Sequence, residues 1–172
     1  MNYTEKLSEN FHHFKALNAI MEKHGWPMGA GSYMIDGRTL DYNKATSPKQ
    51  ELLFNTIKDV PDTFGSINVL EVNVYAGHSA LIMLMADERC NITAIDLCYP
   101  FTEECVEYLR KNFGNRITLY KGDSHLILNN MFLSDQFSKY DLFHLDGNHN
   151  LEHACVDFVL AIRLLYFGSV VS

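Results

Sequence analysis

The chain has 172 residues, which is enough for one domain with a sizeable core and short for two. Apolar residues make up 47% of it and charged residues 20%, a balance typical of folded globular proteins that excludes disorder as the main state. The formal charge is −7, and no basic run is longer than Arg110-Lys111. A nucleic-acid surface is therefore not expected, and a small neutral or cationic ligand fits better.

The amino terminus and the cysteines indicate the cellular compartment in which the protein is expected. Met1 to Glu5 has no basic segment followed by an apolar one, and no uninterrupted apolar stretch reaches the ~18–20 residues of a membrane span. The four cysteines include no C-x-x-C pair, and nothing else points to an extracellular setting. We expect a cytoplasmic protein with reduced thiols and no membrane partner.

The first predicted element is an amphipathic helix over residues 5–24, with apolar residues at helical spacing. It either covers the domain or contacts a partner. Residues 25–46 are rich in glycine and form a long connection of the kind that is often functional. Its aromatic residues form a lid or acceptor pocket, or simply pin the loop to the core; they are Trp26, Tyr33 and Tyr42. We therefore separate residues 1–46, a cap or oligomerisation segment, from residues 47–172, the ligand-binding domain.

Helical and extended segments alternate in the remainder. Ser47-Pro48-Lys49-Gln50 supplies an N-cap, a first-turn proline and a capping-box glutamine, so a helix should run to about Asp59. The predicted strands are Ile67 to Val72, Ile92 to Asp96, Ile117 to Tyr120, Tyr140 to Asp146 and an unfinished one at Val170-Val171. The predicted helices between them are Ser79 to Arg89, Thr102 to Phe113, Ser124 to Leu133 and Leu151 to Tyr166. Strands joined by helices run parallel, so this order predicts an α/β, doubly wound parallel sheet of about five strands.

Ligands of such sheets bind beyond the carboxyl ends of the strands, which is where the polar residues of this chain concentrate. Gly77 lets the backbone approach a ligand, and Ser79 at the helix start can donate to a carboxylate. Asp96 ends the second strand, where it can accept hydrogen bonds from both hydroxyls of a ribose. A plain strand-to-helix turn and a capping or solvent-facing aspartate are the alternatives.

The glycine content narrows the kind of adenosine ligand. The fingerprint G-x-G-x-x-G is absent, because Gly77 is the one glycine at its positions, so the turn is poorly suited to a pyrophosphate. A nucleotide-dependent oxidoreductase is therefore the least expected function. S-adenosylmethionine carries an adenosine and an amino acid with no phosphate between them. It needs less glycine.

Four segments in order resemble one family. Residues 69–80, VLEVNVYAGHSA, are similar to motif I of catechol O-methyltransferase-like, family 24-like class I methyltransferases, V-L-E-[LIV]-G-x-[YF]-x-G-[YH]-S. Asp96 resembles the ribose-binding acid of that family, and Gly122-Asp123-Ser124 resembles its segment beside the adenine. Residues 140–149, YDLFHLDGNH, are similar to its Y-D-x-[IVF]-x-[IL]-D-x-x-H motif. The resemblance covers residues 47–172 and implies a Rossmann-like fold.

The resemblance also implies S-adenosylmethionine as cofactor and methyl transfer to the oxygen of a small hydroxylated acceptor. It assigns the acceptor chemistry to Asp146 and His149, with His149 as a general base; an exposed loop histidine is the alternative. The residues implied to hold the cofactor are Glu71, Asn73, Tyr75, Gly77, Ser79, Asp96, Leu97, Asp123, Ser124 and Asp146.

Two departures from the family pattern raise a second hypothesis. Asn73 replaces a glycine and would either crowd the cofactor or hydrogen-bond to it. Residues 164–172 resemble the family's turn into strand five and then stop, so the C-terminal hairpin strands and the acidic pair that completes a metal site in some relatives have no counterpart. A divalent metal is therefore not expected. The open sheet edge favours a homo-oligomer, and both departures favour a catalytically degenerate protein that keeps the fold for binding.

Overall fold

A computed structural model describes residues 1–26, 35–36, 39–40, 48–134, 139–146 and 150–171; residues 35–36, 39–40 and 166–171 are described by their backbone alone. The first helix, α1, spans Tyr3–Lys23 and begins two residues before the predicted start, because Asn2 and Glu5 form a capping box. The Asn2 side chain accepts from the Glu5 N–H at 2.9 Å, and the Glu5 carboxylate accepts from the Asn2 N–H at 2.9 Å.

The remaining elements alternate as the sequence predicts, and the doubly wound parallel sheet is confirmed. A short antiparallel pair within residues 25–46 departs from the predicted irregular connection; it consists of β1 (Ile35–Asp36) and β2 (Thr39–Leu40). The other elements are α2 (Pro48–Lys58), β3 (Ile67–Val72), α3 (His78–Ala86), β4 (Cys90–Asp96), α4 (Thr102–Phe113), β5 (Ile117–Lys121), α5 (Ser124–Leu133), β6 (Tyr140–Leu145), α6 (Leu151–Ile162) and β7 (Leu165–Val171).

The five-stranded sheet has the order β5-β4-β3-β6-β7, and every neighbouring pair in it is parallel. Successive strands first add outward from β3 to β5, and the chain then crosses back to place β6 on the other side of β3. The order therefore reverses between β3 and β6, which is the point where ligands of such sheets bind.

Apolar side chains cover both faces of this sheet. Val69 of β3 belongs to a core that includes α1, α2, α3 and α4, while Leu70 and Val72 belong to a second core with α5 and α6. Helix α1 contributes fully buried side chains to the first core, among them Leu7 and Phe14. The N-terminal helix thus packs on the domain.

At the C-terminal end of the chain, two predicted element bounds were wrong. Helix α6 ends at Ile162 and not at Tyr166, and β7 is a seven-residue strand and not a stub at the chain's end. The apolar run after Ile162 continues the helical pattern, and periodicity alone does not separate a short apolar strand from a helix end. Strand β7 pairs with β6 at both ends, but its register shifts between Tyr140 and Leu142, which marks an irregular strand.

Helix α3 ends at Ala86, three residues before the predicted end, and β4 begins earlier at Cys90. Arg89 explains the difference. Its guanidinium donates to the Asp87 carboxylate at 2.7 Å. It also donates to carbonyls of the loop between α2 and β3, including that of Pro61 at 3.0 Å. These bonds turn the chain out of the helix and into the strand.

Candidate functional site

A cavity of about 920 Å³ opens at the carboxyl ends of the strands, at the reversal point of the sheet. It is lined by Trp26, Val72, Asn73, Tyr75, Ile95, Asp96, Leu97, Cys98, Tyr99, Gly122, Asp123, Ser124, His125, Asp146, His153 and Asp157. A smaller groove of about 380 Å³ lies near the opposite ends of the strands, between Asn91 and Lys139, away from every predicted site residue. The larger cavity is therefore the candidate site.

The turn after β3 forms one wall of the cavity and has an unusual backbone. Asn73 has φ of 70° and Tyr75 has φ of 51°, both in the left-handed region that side chains seldom adopt. Asparagine is among the residues that tolerate this region best. The Asn73 amide donates to the Asp146 carbonyl at 2.7 Å, and its backbone N–H donates to the Ile95 carbonyl at 2.8 Å. Asn73 thereby ties the ends of β3, β4 and β6 together.

Asp96 joins that turn to the one after β4. One carboxylate oxygen accepts from the Tyr75 N–H at 2.8 Å, and the other accepts from the Cys98 N–H at 2.6 Å. The side chain is 4% exposed, so the solvent-facing alternative does not hold. Each carboxylate oxygen has a further lone pair, and Asp96 lies on the cavity wall. It both builds the site and can accept hydrogen bonds from a ligand.

Glu71 and Ser79 lie behind the turn and are not among the residues that line the cavity. Glu71 is fully buried, and the Ser79 hydroxyl donates to its carboxyl group. Burial raises the pKa of Glu71 to about 8; the hydrogen bond from Ser79 opposes this shift, while the charges of Asp146 and Asp96 add to it. The hydroxyl that the sequence assigned to a ligand is thus directed to Glu71.

Gly77 is required by packing as well as by conformation. Its φ is 78°, and a Cβ built on it would stand 2.8 Å from Cδ1 of Leu109 on α4. It too is absent from the residues that line the cavity. The absence of a side chain at Gly77 therefore allows α4 to approach the β3–α3 turn closely.

Helices α5 and α6 close the far end of the cavity. The Gly122 N–H donates to the Asp96 carbonyl at 2.8 Å, and Asp123 caps α5 by accepting from the Leu126 N–H at 3.1 Å. The Ser124 hydroxyl donates to Asp157 Oδ1 at 2.6 Å. The predicted segment at the start of α5 therefore does reach the cavity.

Two residues at this end escaped the sequence analysis, His125 and Asp157, and His153 lines the cavity beside them. The two imidazoles stack with ring centroids 5.5 Å apart, and His125 Nε2 lies 3.5 Å from Asp157 Oδ1. A signal was available, because Asp157 is an acidic residue inside the otherwise apolar second half of α6 and is only 3% exposed. A buried carboxylate on an apolar helix needs partners.

Aromatic rings form another wall. Tyr75, Tyr99 and Phe101 contact one another, and Trp26 packs edge-on against Tyr99 at 4.8 Å between centroids and against Phe101 at 5.5 Å. Trp26 therefore contacts the core and lines the cavity at once. Tyr33 and Tyr42 fall outside the described residues.

The end of β6 contributes Asp146, as predicted, and an ion-pair partner that was not. Lys49 Nζ lies 3.6 Å from Asp146 Oδ1, and both side chains are partly exposed. The predicted base His149 lies outside the described residues. Leu97, also predicted, lies on the cavity lip and is exposed.

No group of three or more His, Cys, Asp or Glu side chains suited to a metal ion occurs in the described part of the chain. All four cysteines are free. Over the described ranges, no helix has the length and hydropathy that crossing a bilayer requires.

The fold and the site together define an α/β protein with a cavity at the sheet reversal, beside a β3–α3 turn whose only glycine is Gly77. Residues 70–172, more than half of the chain, match the model of a methyltransferase-domain family. The chain belongs to this family, which confirms the resemblance of its motifs to class I S-adenosylmethionine-dependent methyltransferases. No curated protein matches the sequence.

Solved structures with the same fold include TomG, an O-methyltransferase from Streptomyces achromogenes in complex with SAM, with a TM-score of 0.66 and 16% identity over 92% of this chain. An O-methyltransferase from Bacillus cereus in complex with SAH has a TM-score of 0.63 and 14% identity over 91% of this chain. A methyltransferase from Geobacter sulfurreducens has a TM-score of 0.58 and 14% identity over 92% of this chain. The chain covers 63%, 64% and 67% of their lengths, respectively.

The raised pKa of Glu71 predicts a specific dependence of stability on pH. The folded chain keeps a proton on this carboxyl up to about pH 8, whereas the unfolded chain releases it near 4.5, so the free energy of unfolding falls as pH rises through this window. Glu71→Gln removes the titration and leaves an oxygen for Ser79. Between pH 6.5 and 8 the fall should be smaller in the variant by ~1–2 kcal/mol, since one pH unit corresponds to about 1.36 kcal/mol per proton.

Urea unfolding at the two pH values measures this difference. Staying above pH 6.5 avoids the titration of His78, whose pKa burial lowers to about 4. Glu103→Gln, a change at an exposed carboxylate on α4, is the matched control and should follow the wild type. Identical pH dependence in wild type and Glu71→Gln would contradict the assignment.

Proposed function

We propose that this protein is an S-adenosylmethionine-dependent methyltransferase that transfers the methyl group to the oxygen of a small hydroxylated acceptor. The observation that carries the proposal is the buried Asp96 carboxylate on the wall of a cavity at the sheet reversal. TomG and the Bacillus cereus enzyme, which share the fold, were crystallised with SAM and SAH and are O-methyltransferases.

The residues of the cavity suit this cofactor. Asp96 offers lone pairs to ribose hydroxyls, and the turn from Asn73 to Tyr75 lies beside it for the amino-acid portion. Four aspartates line the cavity, so its field favours a ligand that carries a sulfonium and an ammonium group. Glu71, Ser79 and Gly77 act behind the turn by holding its shape.

The cofactor would supply a methyl group activated by a sulfonium. The protein's part is to hold the acceptor oxygen in line and to take its proton. Asp146 is suited to holding the acceptor oxygen, because its carboxylate lines the cavity beside Lys49, whose ammonium favours a developing alkoxide. His149 is proposed as the general base on the grounds of its motif alone.

Asp146→Asn should lower methyl transfer by about 100-fold, because a misplaced acceptor oxygen costs a factor of this size. The measurement is the initial rate with tritium-labelled S-adenosylmethionine and a panel of phenols, catechols and aliphatic alcohols. Glu107→Gln, which removes one charge from an exposed carboxylate of α4 that does not line the cavity, should retain the wild-type rate.

An undiminished rate in Asp146→Asn would remove Asp146 from the chemistry. Failure of the wild type to methylate any compound of the panel would contradict O-methyl transfer and favour the catalytically degenerate alternative, which Asn73 at a glycine position also suggests.

We also propose that the chain forms a homodimer through the outer face of α6. Five apolar side chains of this helix are exposed, and four of them recur at helical spacing along one face: Leu151 (78%), Phe158 (41%), Val159 (54%) and Ile162 (41%). Such a contiguous apolar stripe marks an interaction surface more often than a surface that stays in contact with solvent.

Residues 1–46 are proposed as a cap beside Trp26. A cytoplasmic location, a small-molecule acceptor and the absence of nucleic-acid and membrane partners remain predictions.

Light scattering coupled to size-exclusion chromatography at micromolar concentration tests the dimer. The wild type should elute at twice the chain mass of 19.7 kDa. Val159→Glu should give a monomer, because a charge in the middle of the stripe would be buried without a partner, and Glu152→Gln on the same helix should not. A wild-type species at the chain mass would contradict the proposal.

A further inference from the structure

The contact between Ser124 and Asp157 gives one end of the cavity a defined hydrogen-bonding character. A serine hydroxyl has a single proton and two lone pairs, and a carboxylate only accepts. Ser124 gives its proton to Asp157 Oδ1 at 2.6 Å. Its oxygen is therefore left as an acceptor toward the cavity, which both residues line.

The surroundings hold Asp157 in place. It is 3% exposed on α6, and His125 Nε2 approaches the same oxygen that Ser124 contacts, at 3.5 Å. His125 in turn stacks on His153. A short hydrogen bond to a buried carboxylate is among the stronger ones in proteins, so the Ser124 proton has little freedom to turn toward a ligand.

We propose that Asp157, acting through Ser124, makes this end of the cavity select a purine with an exocyclic amino group, so that the site accepts adenosine ligands and discriminates against their inosine counterparts. The inference rests on the proposed function, since it assumes that the nucleoside of the cofactor occupies this cavity. Asp157 is a positioning residue, and Ser124 is the residue that meets the base.

The two purines differ in the substituent at C6, which is the group that would meet the Ser124 oxygen. Adenine carries an amino group at C6, which donates to an acceptor, whereas hypoxanthine carries a carbonyl there, which only accepts. A carbonyl set against the Ser124 oxygen, whose proton is given to Asp157, loses the hydrogen bond and leaves two acceptors facing each other. A site built to bond one polar group rejects the analogue that lacks it far more strongly than an apolar pocket does.

The test compares S-adenosylhomocysteine with its deaminated analogue, S-inosylhomocysteine, by calorimetry on the full chain. The wild type should bind the adenosine compound at least tenfold more tightly, a difference of about 1.4 kcal/mol. In Asp157→Asn the ratio of the two dissociation constants should fall at least threefold. The Asn amide can donate to the Ser124 oxygen, which allows the Ser124 proton to turn toward the ligand. Ser124→Ala should lower the ratio too.

Glu152→Gln is the matched control: it removes one charge from an exposed position on the same helix, and its ratio should equal that of the wild type. A general loss of stability changes both affinities together and leaves the ratio in place, so the ratio reports selection and not folding. Equal binding of both compounds by the wild type, or an unchanged ratio in both Asp157→Asn and Ser124→Ala, would overturn the proposal. Absence of any S-adenosylhomocysteine binding would overturn the proposed function itself.

Discussion

The site depends on one buried carboxylate. Asp96 accepts the N–H groups of Tyr75 and Cys98, and thereby joins the turns that follow two neighbouring strands. Both of these residues have positive φ, as does Asn73, and such conformations cost on the order of 1 kcal/mol or more for residues other than glycine. The hydrogen bonds to Asp96 hold these conformations, so the shape of the cavity wall follows from this carboxylate.

A second layer of buried polar groups supports the first. Ser79 donates to Glu71 beneath the turn, and His78 Nε2 meets the Asn18 side chain of α1 at 2.8 Å. The ring of Phe14, also on α1, stacks on His78. The N-terminal helix therefore braces the start of α3, whose position fixes the turn after β3.

Local signals explain which parts of the molecule were predictable. Helix α4 has the predicted bounds, and Gly114, which follows it with φ of 75°, explains its end. Its start is not explained by capping, because the cap position is Phe101 and no side chain caps the helix. The strand ends were predicted because buried apolar runs stop at polar residues, and this also located Asp96 and Asp146. Strand β7 was predicted too short, because the first part of its apolar run continues that of α6.

Contacts between distant elements carry no such signal. The Ser124–Asp157 bond joins two helices, and the Lys49–Asp146 pair joins α2 to the end of β6; only the folded chain brings them together. Asn73 illustrates the same limit. The motif identified it as a departure from glycine, but its left-handed backbone and its bond to the Asp146 carbonyl required the structure.

The central claim is that the cavity beside Asp96 binds the adenosine cofactor of methyltransferases, and calorimetric titration with S-adenosylhomocysteine tests it most directly. The wild type should bind one equivalent per chain and should bind NAD far more weakly. Asp96→Asn, which places an amide against two backbone N–H groups, should bind S-adenosylhomocysteine at least tenfold more weakly, or about 1.4 kcal/mol. No binding by the wild type at millimolar ligand, or equal affinity in Asp96→Asn, would contradict the account.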